Sequence, residues 1–299
     1  MRWTGTSFFP SRHRYCDQCA RRTVTTRQGE VVEYYHRGVV AHLIGLDLAV
    51  PIDVEFLRPG EGEVPAARRM LERVFELYGR FFDAVSGDAL YLEAPFVNFC
   101  LAHGKHVLTT LKGDRRVLLQ DAQGLFAQMP PVTWTHGKQT IQCWDAEGFT
   151  SCEGIDHPLR VLHAAETVPR RQRIAGQWVW TEEHHDWWWA TTIPKKHLSS
   201  RQTWQAGHRR WDIENDNFDV LGTNWQLNHC CRHDPTAIVN FVLTLFIVYV
   251  LLGSFYLRNL KPPVRRRFAL IAIARQLYAG LAAGEAAPLW RTAPAERPP

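Results

Sequence analysis

The order of apolar patterns along the chain predicts an α/β protein, a mixed sheet flanked by helices and interrupted by a mostly β segment. Three observations carry that expectation. Residues 81–92 read as a buried strand that ends at Gly87 with Asp88 at its terminus, followed by a helix towards Gly104 and another strand over 105–112. Short β-type runs then occur at 117–119, 140–144, 159–162 and 177–180, separated by Gly, Pro and Asp turns. Finally, Trp211, Phe218, Leu221 and Trp225 recur at helical spacing in a helix that starts near Gly207.

The last of these helices also carries the first hint of chemistry. Glu214 and Arg210 fall on or beside its apolar stripe. Ionised carboxylates are seldom buried unless paired or bound to a metal, so Glu214 is either neutralised by Arg210 one turn earlier or helps to hold a cation. A helix-edge ion pair and a metal ligand are both open on this segment alone. At 299 residues, 45% of them hydrophobic, the chain can bury a large core as one sizeable domain or one domain with an insertion. The net charge of +5 is a small excess, so any affinity for nucleic acid must come from where the basic residues lie. They cluster at Arg170-Arg171-Gln172-Arg173, at Lys195-Lys196, at His208-Arg209-Arg210 and at Arg265-Arg266-Arg267.

Asp88-Ala89-Leu90-Tyr91 after a buried strand, and Arg210-Trp211-x-Ile213-Glu214-Asn215 far downstream, together resemble the RNase H-like core of DDE insertion-sequence transposases. The resemblance runs from about Thr4 to Tyr278. It includes Pro59-Gly60-Glu61-Gly62-Glu63 before a helix with Ala66 and Ala67, the stretch from Trp187 to Thr192, and Asn228-His229-Cys230. It implies an RNase H-like mixed sheet with Asp88 and Glu214 as catalytic carboxylates and ligands of Mg2+, and with Arg210 contacting phosphate or orienting Glu214. Hard oxygen ligands suit magnesium, and two such ions together activate the nucleophile and stabilise the leaving oxygen of a phosphodiester. It also implies DNA as partner, at transposon ends and target, and a homodimer. The β segment at 113–200 would be the insertion between the second aspartate and the glutamate, which in such transposases grips the transposon end. Candidate DNA contacts are Arg170, Arg171, Lys195, Lys196, Arg209, Arg210, Trp188 and Trp189, with a tryptophan of 187–189 stacking on an unpaired base and at least one filling the core.

The pattern departs from the family in ways that matter for turnover. Thr4 stands where the first aspartate would sit on the first core strand, and a threonine cannot replace a carboxylate that bridges two metals. Gly207 and Leu221 occupy the tyrosine and lysine positions of the related Tyr-x2-Arg-x3-Glu-x6-Lys signature. Asp17, Asp47 and Asp53 are other upstream acids, ranked below simple loss of the first ligand. The expected organisation is a core in two parts, 1–112 and 201–281, around the insertion, with a disordered tail at 282–299. The chain is expected to lack the N-terminal DNA-binding region such transposases carry, as a truncated or decayed copy would. A catalytically dead DNA-binding remnant is therefore one alternative.

The other alternative comes from the apolar run 237–257, which is long enough to span a bilayer and is followed by Arg258, Lys261 and Arg265 to Arg267. A single-span membrane protein with a soluble N-terminal region would fit it. Asn240 and Thr244, and its place after Glu214, favour instead a buried helix closing the core, and a chain with no membrane partner. Seven cysteines without a signal peptide read as a reduced, cytoplasmic protein. Cys16-x2-Cys19 with His13 nearby, and His229-Cys230-Cys231-x-His233, can be assembled on paper into a zinc site, although adjacent cysteines rarely ligate together.

Overall fold

The computed structural model describes residues 2–27, 29–45, 48–113, 116–174, 176–212, 219–229 and 232–283, with backbone only at 2–6, 116, 174, 210–212 and 219. Its strands are β1 (Arg2–Ser11), β2 (Ala20–Thr26), β3 (Gly29–Leu43), β4 (Val50–Phe56), β5 (Ala84–Gly87), β6 (His106–Thr110), β7 (Val132–His136), β8 (Gln139–Phe149), β9 (Leu159–Ile174) and β10 (Gln177–Thr191). Its helices are α1 (Glu63–Tyr78), α2 (Ala94–Ala102), α3 (Arg116–Phe126), α4 (Ser200–Asp212), α5 (Asp219–Asn224), α6 (Pro235–Asn259), α7 (Pro262–Arg267) and α8 (Leu270–Ala282). The mixed α/β class is the predicted one. Two compact units are present, one made of residues 1–5 and 61–214, the other of 6–60 and 215–299.

In the first unit, β5 runs parallel to β6 and pairs in parallel with the start of β1 through Arg2 and Ser86. Antiparallel pairing then carries the sheet through β10, β9, β8 and β7, so the β strands of the 113–200 segment continue the sheet that β5 and β6 begin. Helix α1 buries Ala66, Ala67, Met70, Leu71 and Val74, a stripe at three- and four-residue spacing. The β-type run expected at 117–119 is instead the start of α3. Its buried residues Leu118, Ala122 and Phe126 recur every fourth position, and this longer helical period overrides the local β propensity of three apolar residues.

The second unit holds the β2–β3 hairpin and β4, antiparallel to β3. Its core joins Phe8, Phe9, Val40 and Val54 to Leu221, Leu227 and one face of α6. Asp234 caps α6, its carboxylate accepting from the Ala237 amide at 2.9 Å, and Pro235 follows where a missing N–H costs nothing. The helix is not buried all round as predicted. Ile238, Val242, Phe246, Tyr249 and Gly253 form a single buried stripe, while Ile247, Val248 and Leu251 face out. The tail from residue 284 lies outside the described residues.

Candidate functional site

Asp88 is placed by the end of a strand and held by its own turn. Gly87 closes β5, and a side chain there would meet the Tyr91 ring 2.8 Å from its Cβ, so only glycine lets the chain fold back on itself. The Asp88 carboxylate accepts from the Leu90 amide at 2.9 Å and caps the short turn Ala89–Tyr91. Its side chain stays half-exposed at the carboxyl end of a parallel strand, the edge at which open α/β sheets commonly bind ligands.

The helix that leads towards Glu214 lies against this strand. Helix α4 packs on β5, β6 and β9 within the same unit. Gly207 is the reason it can approach so closely: a Cβ there would sit 2.4 Å from the Trp189 indole. The glycine at the family's tyrosine position is thus a packing requirement of this chain's own tryptophan. Glu214 itself lies outside the described residues, as do Ile213 and Phe218, and the side chains of Arg210, Trp211 and Thr4 are likewise not described. Of the other acids, Asp53 lies on β4 with its carboxylate accepting from the Val54 amide, Asp17 lies in the loop between β1 and β2, and Asp47 is outside the described residues.

Two buried polar networks anchor α4. Arg160 on β9 and Asp145 on β8 are 2% and 4% exposed, and the guanidinium donates in a fork to the carboxylate at 2.8 and 2.7 Å. A further Arg160 nitrogen donates to the carbonyls of Ile193 and Leu198, and Ser200, the first residue of α4, donates its hydroxyl to Asp145. Burial alone would push the Asp145 carboxyl up. Hydrogen bonds from Arg160 and Ser200, with the charges of Arg160 and Lys195, outweigh it and hold the carboxyl below its ordinary range. One turn and more along the helix, Trp204 and His208 both donate at 2.6 Å to the buried Glu166 of β9. There too burial opposes ionisation, and the two donors outweigh it, so the Glu166 carboxyl lies low.

The tryptophans sort by the alternation of β10. Trp187 and Trp189 share a face, stacked 6.2 Å apart under His208, whereas Trp188 points the other way, against His163 at 4.0 Å and Phe126 at 5.9 Å. Trp189, one of the expected DNA contacts, is 2% exposed in the core among Leu108, Ile141, Leu162 and Trp204 and is the tryptophan of the three that fills it. Trp188 is half-buried. Lys195 lies within 3.5 Å of Asp145 and is half-exposed, Lys196 and Arg209 are at the surface, and Arg170 pairs with Glu183 at 2.7 Å.

A second aromatic pair lies at the other end of β10, away from 187–189. Strand β8 last pairs with β9 at Thr167, and beyond that point β9 and β10 continue, among the described residues, as a two-stranded ribbon. In the register Trp178 faces Arg173 and Trp180 faces Arg171, so two indoles and two guanidinium groups share one face. Trp178 and Trp180 are 60% and 63% exposed, and Arg171 lies over the Trp178 ring at 5.2 Å. The alternation Trp178-x-Trp180 after Gly176 was a legible signal, opposite a run that reads as charge before it reads as strand.

Taken as geometry, a mixed sheet with an aspartate at the end of its parallel strand and a helix packed against that strand defines an RNase H-like α/β fold. The family model for the transposase DDE domain matches residues 15–251, most of the chain, and the protein belongs to that family. Asp88 and Glu214 lie inside the matched stretch and Thr4 before it. A search of the curated proteins finds no match. Transposition of DNA with divalent metal ions is the family's chemistry.

Proposed function

We propose that this chain is a DNA-binding member of the family that grips DNA with the β9–β10 ribbon and cleaves it negligibly. One observation carries the binding half: Trp178 and Trp180 are exposed on a projecting ribbon with Arg171 and Arg173 beside them. Exposed indoles on a bare ribbon are costly to keep unless they meet a partner. A two-stranded ribbon fits the major groove, and indole faces stack on unpaired bases of any sequence. The surface positions of Lys196 and Arg209 add phosphate contacts in the same unit.

The catalytic half rests on the donor set. Asp88 already lends an oxygen to the Leu90 amide, and with Glu214 it makes two carboxylates where two-metal chemistry asks for a bridging third. Thr4 offers only a neutral hydroxyl. These residues do not fit a two-metal centre, and they suffice for one weakly held hard ion such as Mg2+.

Anisotropy of a labelled nicked duplex and of a single strand, titrated with the full chain, tests the binding. Replacing Trp178 and Trp180 together by Ala should weaken binding by at least about 30-fold, from roughly 1–3 kcal/mol for each of two stacked bases. Binding should also weaken steeply as salt rises. Affinity unchanged by the double replacement and flat across a salt titration would overturn the proposal.

A further inference from the structure

In the second unit, four side chains from three separate stretches of chain point at one spot. Cys16 and Cys19 come from the loop between β1 and β2, His36 from the middle of β3, and His233 from the residue before the Asp234 cap of α6. Their ligand atoms all lie within 4.8 Å of one another. Cys16 Sγ and Cys19 Sγ are 3.7 Å apart, too far for a disulfide, whose sulfurs sit at about 2.05 Å. His36 Nε2 is 3.4 Å from the first sulfur and 3.5 Å from the second, and His233 Nδ1 is 3.2 Å from Cys19 Sγ.

Those separations have a shape. With zinc–sulfur bonds near 2.3 Å and zinc–nitrogen bonds near 2.05 Å, a regular tetrahedron has a sulfur–sulfur edge of about 3.8 Å and sulfur–nitrogen edges of about 3.6 Å. The four separations given above, 3.7, 3.4, 3.5 and 3.2 Å, fall within a few tenths of an ångström of these edges, and the other two lie within 4.8 Å. We infer that Cys16, Cys19, His36 and His233 form a structural Zn2+ site.

The surroundings are those a closed zinc site needs. His233 Nε2–H donates to the Phe9 carbonyl at 3.1 Å, which fixes the tautomer and leaves Nδ1 to face the cluster. Phe9 holds a left-handed backbone, φ 52°, uncommon for a bulky residue, and that conformation belongs to the residue whose carbonyl receives His233. The Cys16 amide donates to Cys19 Sγ at 3.3 Å and the Cys19 amide to the Cys16 carbonyl at 3.1 Å, a tight turn that aims both sulfurs the same way. Tyr15 stacks on Tyr34 at 5.0 Å, holding the cysteine loop to the strand that carries His36. His36 is 3% exposed. Two thiolates balance the ion's charge, so the half-buried centre is neutral overall. With four protein ligands no position is left for water, which makes the ion a staple and not a catalyst. It ties residue 233 to a loop more than 200 positions earlier. The sequence reading offered His13 and the 229–231 stretch as further ligands. His13 is instead an exposed loop residue whose amide donates to Ser11, His229 is not among the four, and Cys230 and Cys231 lie outside the described residues.

The full chain, purified without chelator, should carry about one zinc ion by elemental analysis, as a four-ligand site holds one metal. Stripped and reloaded with Co2+, it should show the visible bands of a tetrahedral, thiolate-bound ion. The double replacement Cys16→Ser and Cys19→Ser should lose both signals, whereas Cys152→Ser should keep them. Should the double variant fail to fold, His36→Ala is to be read in Co2+ titration, where loss of tetrahedral bands is expected. Zinc at trace level with no Co2+ uptake, a Cys16–Cys19 disulfide in the non-reduced mass, or zinc retained by the double serine variant would overturn the site. None of these readings depends on DNA binding.

Discussion

Replacing Asp145 by Asn should destabilise the first unit by about 3–5 kcal/mol, because it leaves the Arg160 charge buried without its counter-ion. The structure places the cost in the upper part of that range. Arg160 is 2% exposed, so water cannot replace the carboxylate, and both fork bonds, 2.8 and 2.7 Å, end on Asp145. An amide of the same shape accepts at one position only and turns an N–H donor towards the other guanidinium nitrogen. The carbonyls of Ile193 and Leu198 still receive Arg160, so the side chain cannot swing out without losing them as well. Urea unfolding of the full chain, followed by tryptophan fluorescence, reads the effect. With a slope of roughly 2 kcal/mol per molar, the midpoint should fall by about 2–2.5 M. The double replacement Asp145→Leu with Arg160→Met removes both charges and should cost less than Asp145→Asn alone. A midpoint shift under about 0.5 M for Asp145→Asn, against this slope, would refute the view that the pair is desolvated and anchors the start of α4.

Gly207→Ala should destabilise by about 1–3 kcal/mol despite alanine's better helix propensity, because its methyl would overlap the Trp189 indole. Gly124→Ala on α3 meets nothing within 4 Å and should instead stabilise by about 0.5–1 kcal/mol, and equal effects at the two sites in urea unfolding would contradict the packing. Burial lowers the pKa of His106, and burial also lowers that of His163 against the opposing hydrogen bond that its ring donates to Asp186. Folded values below the ordinary value of about 6.5 mean that stability is fully present above that pH and is lost as pH falls through the folded values. Asp145 and Glu166, also lowered, should add a second loss on further acidification, below about pH 4. A urea midpoint that held steady or rose from about pH 7 to pH 4 would contradict the histidine shifts, and one that held steady on further acidification below about pH 4 would contradict the carboxylate shifts. Thr4→Asp should raise nicking of plasmid DNA in Mg2+ or Mn2+ above the level of the unchanged chain; robust cleavage by the unchanged chain, abolished by Asp88→Ala, would instead assign the first ligand to another acid.

What was legible in the sequence is what a short window can hold. Gly87-Asp88 at a strand end, the capped apolar helix α6 and the strands at 140–144, 159–162 and 177–180 follow from local period and turn chemistry, and the structure contains each. Face was harder than period. Alternation puts Trp187 and Trp189 on one side of β10 and Trp188 on the other, but which side is core depends on α4, which reaches the sheet because residue 207 has no side chain. Three apolar residues at 117–119 misled for the same reason, since only Ala122 and Phe126 further on reveal the helical stripe.

Long-range pairings were out of reach. Nothing near Asp145 announces Arg160 as its partner, because strand register brings them together, and nothing near Cys16 announces His36 or prefers His233 to His13, because that meeting depends on how a loop, β3 and the start of α6 pack. The charged run Arg170-Arg171-Gln172-Arg173 is one strand of a ribbon whose other strand carries Trp178-x-Trp180, a pairing that no short window of sequence contains. Strand β10 runs from the exposed tryptophans at one end to Trp189, Ala190 and Thr191 at the other, where it pairs with β6 beside the strand that leads to Asp88. In the proposed binding mode the residues that would meet DNA, Trp178 and Trp180, therefore share one continuous strand with Trp189, the side chain against which Gly207 lets α4, the helix that precedes Glu214, pack.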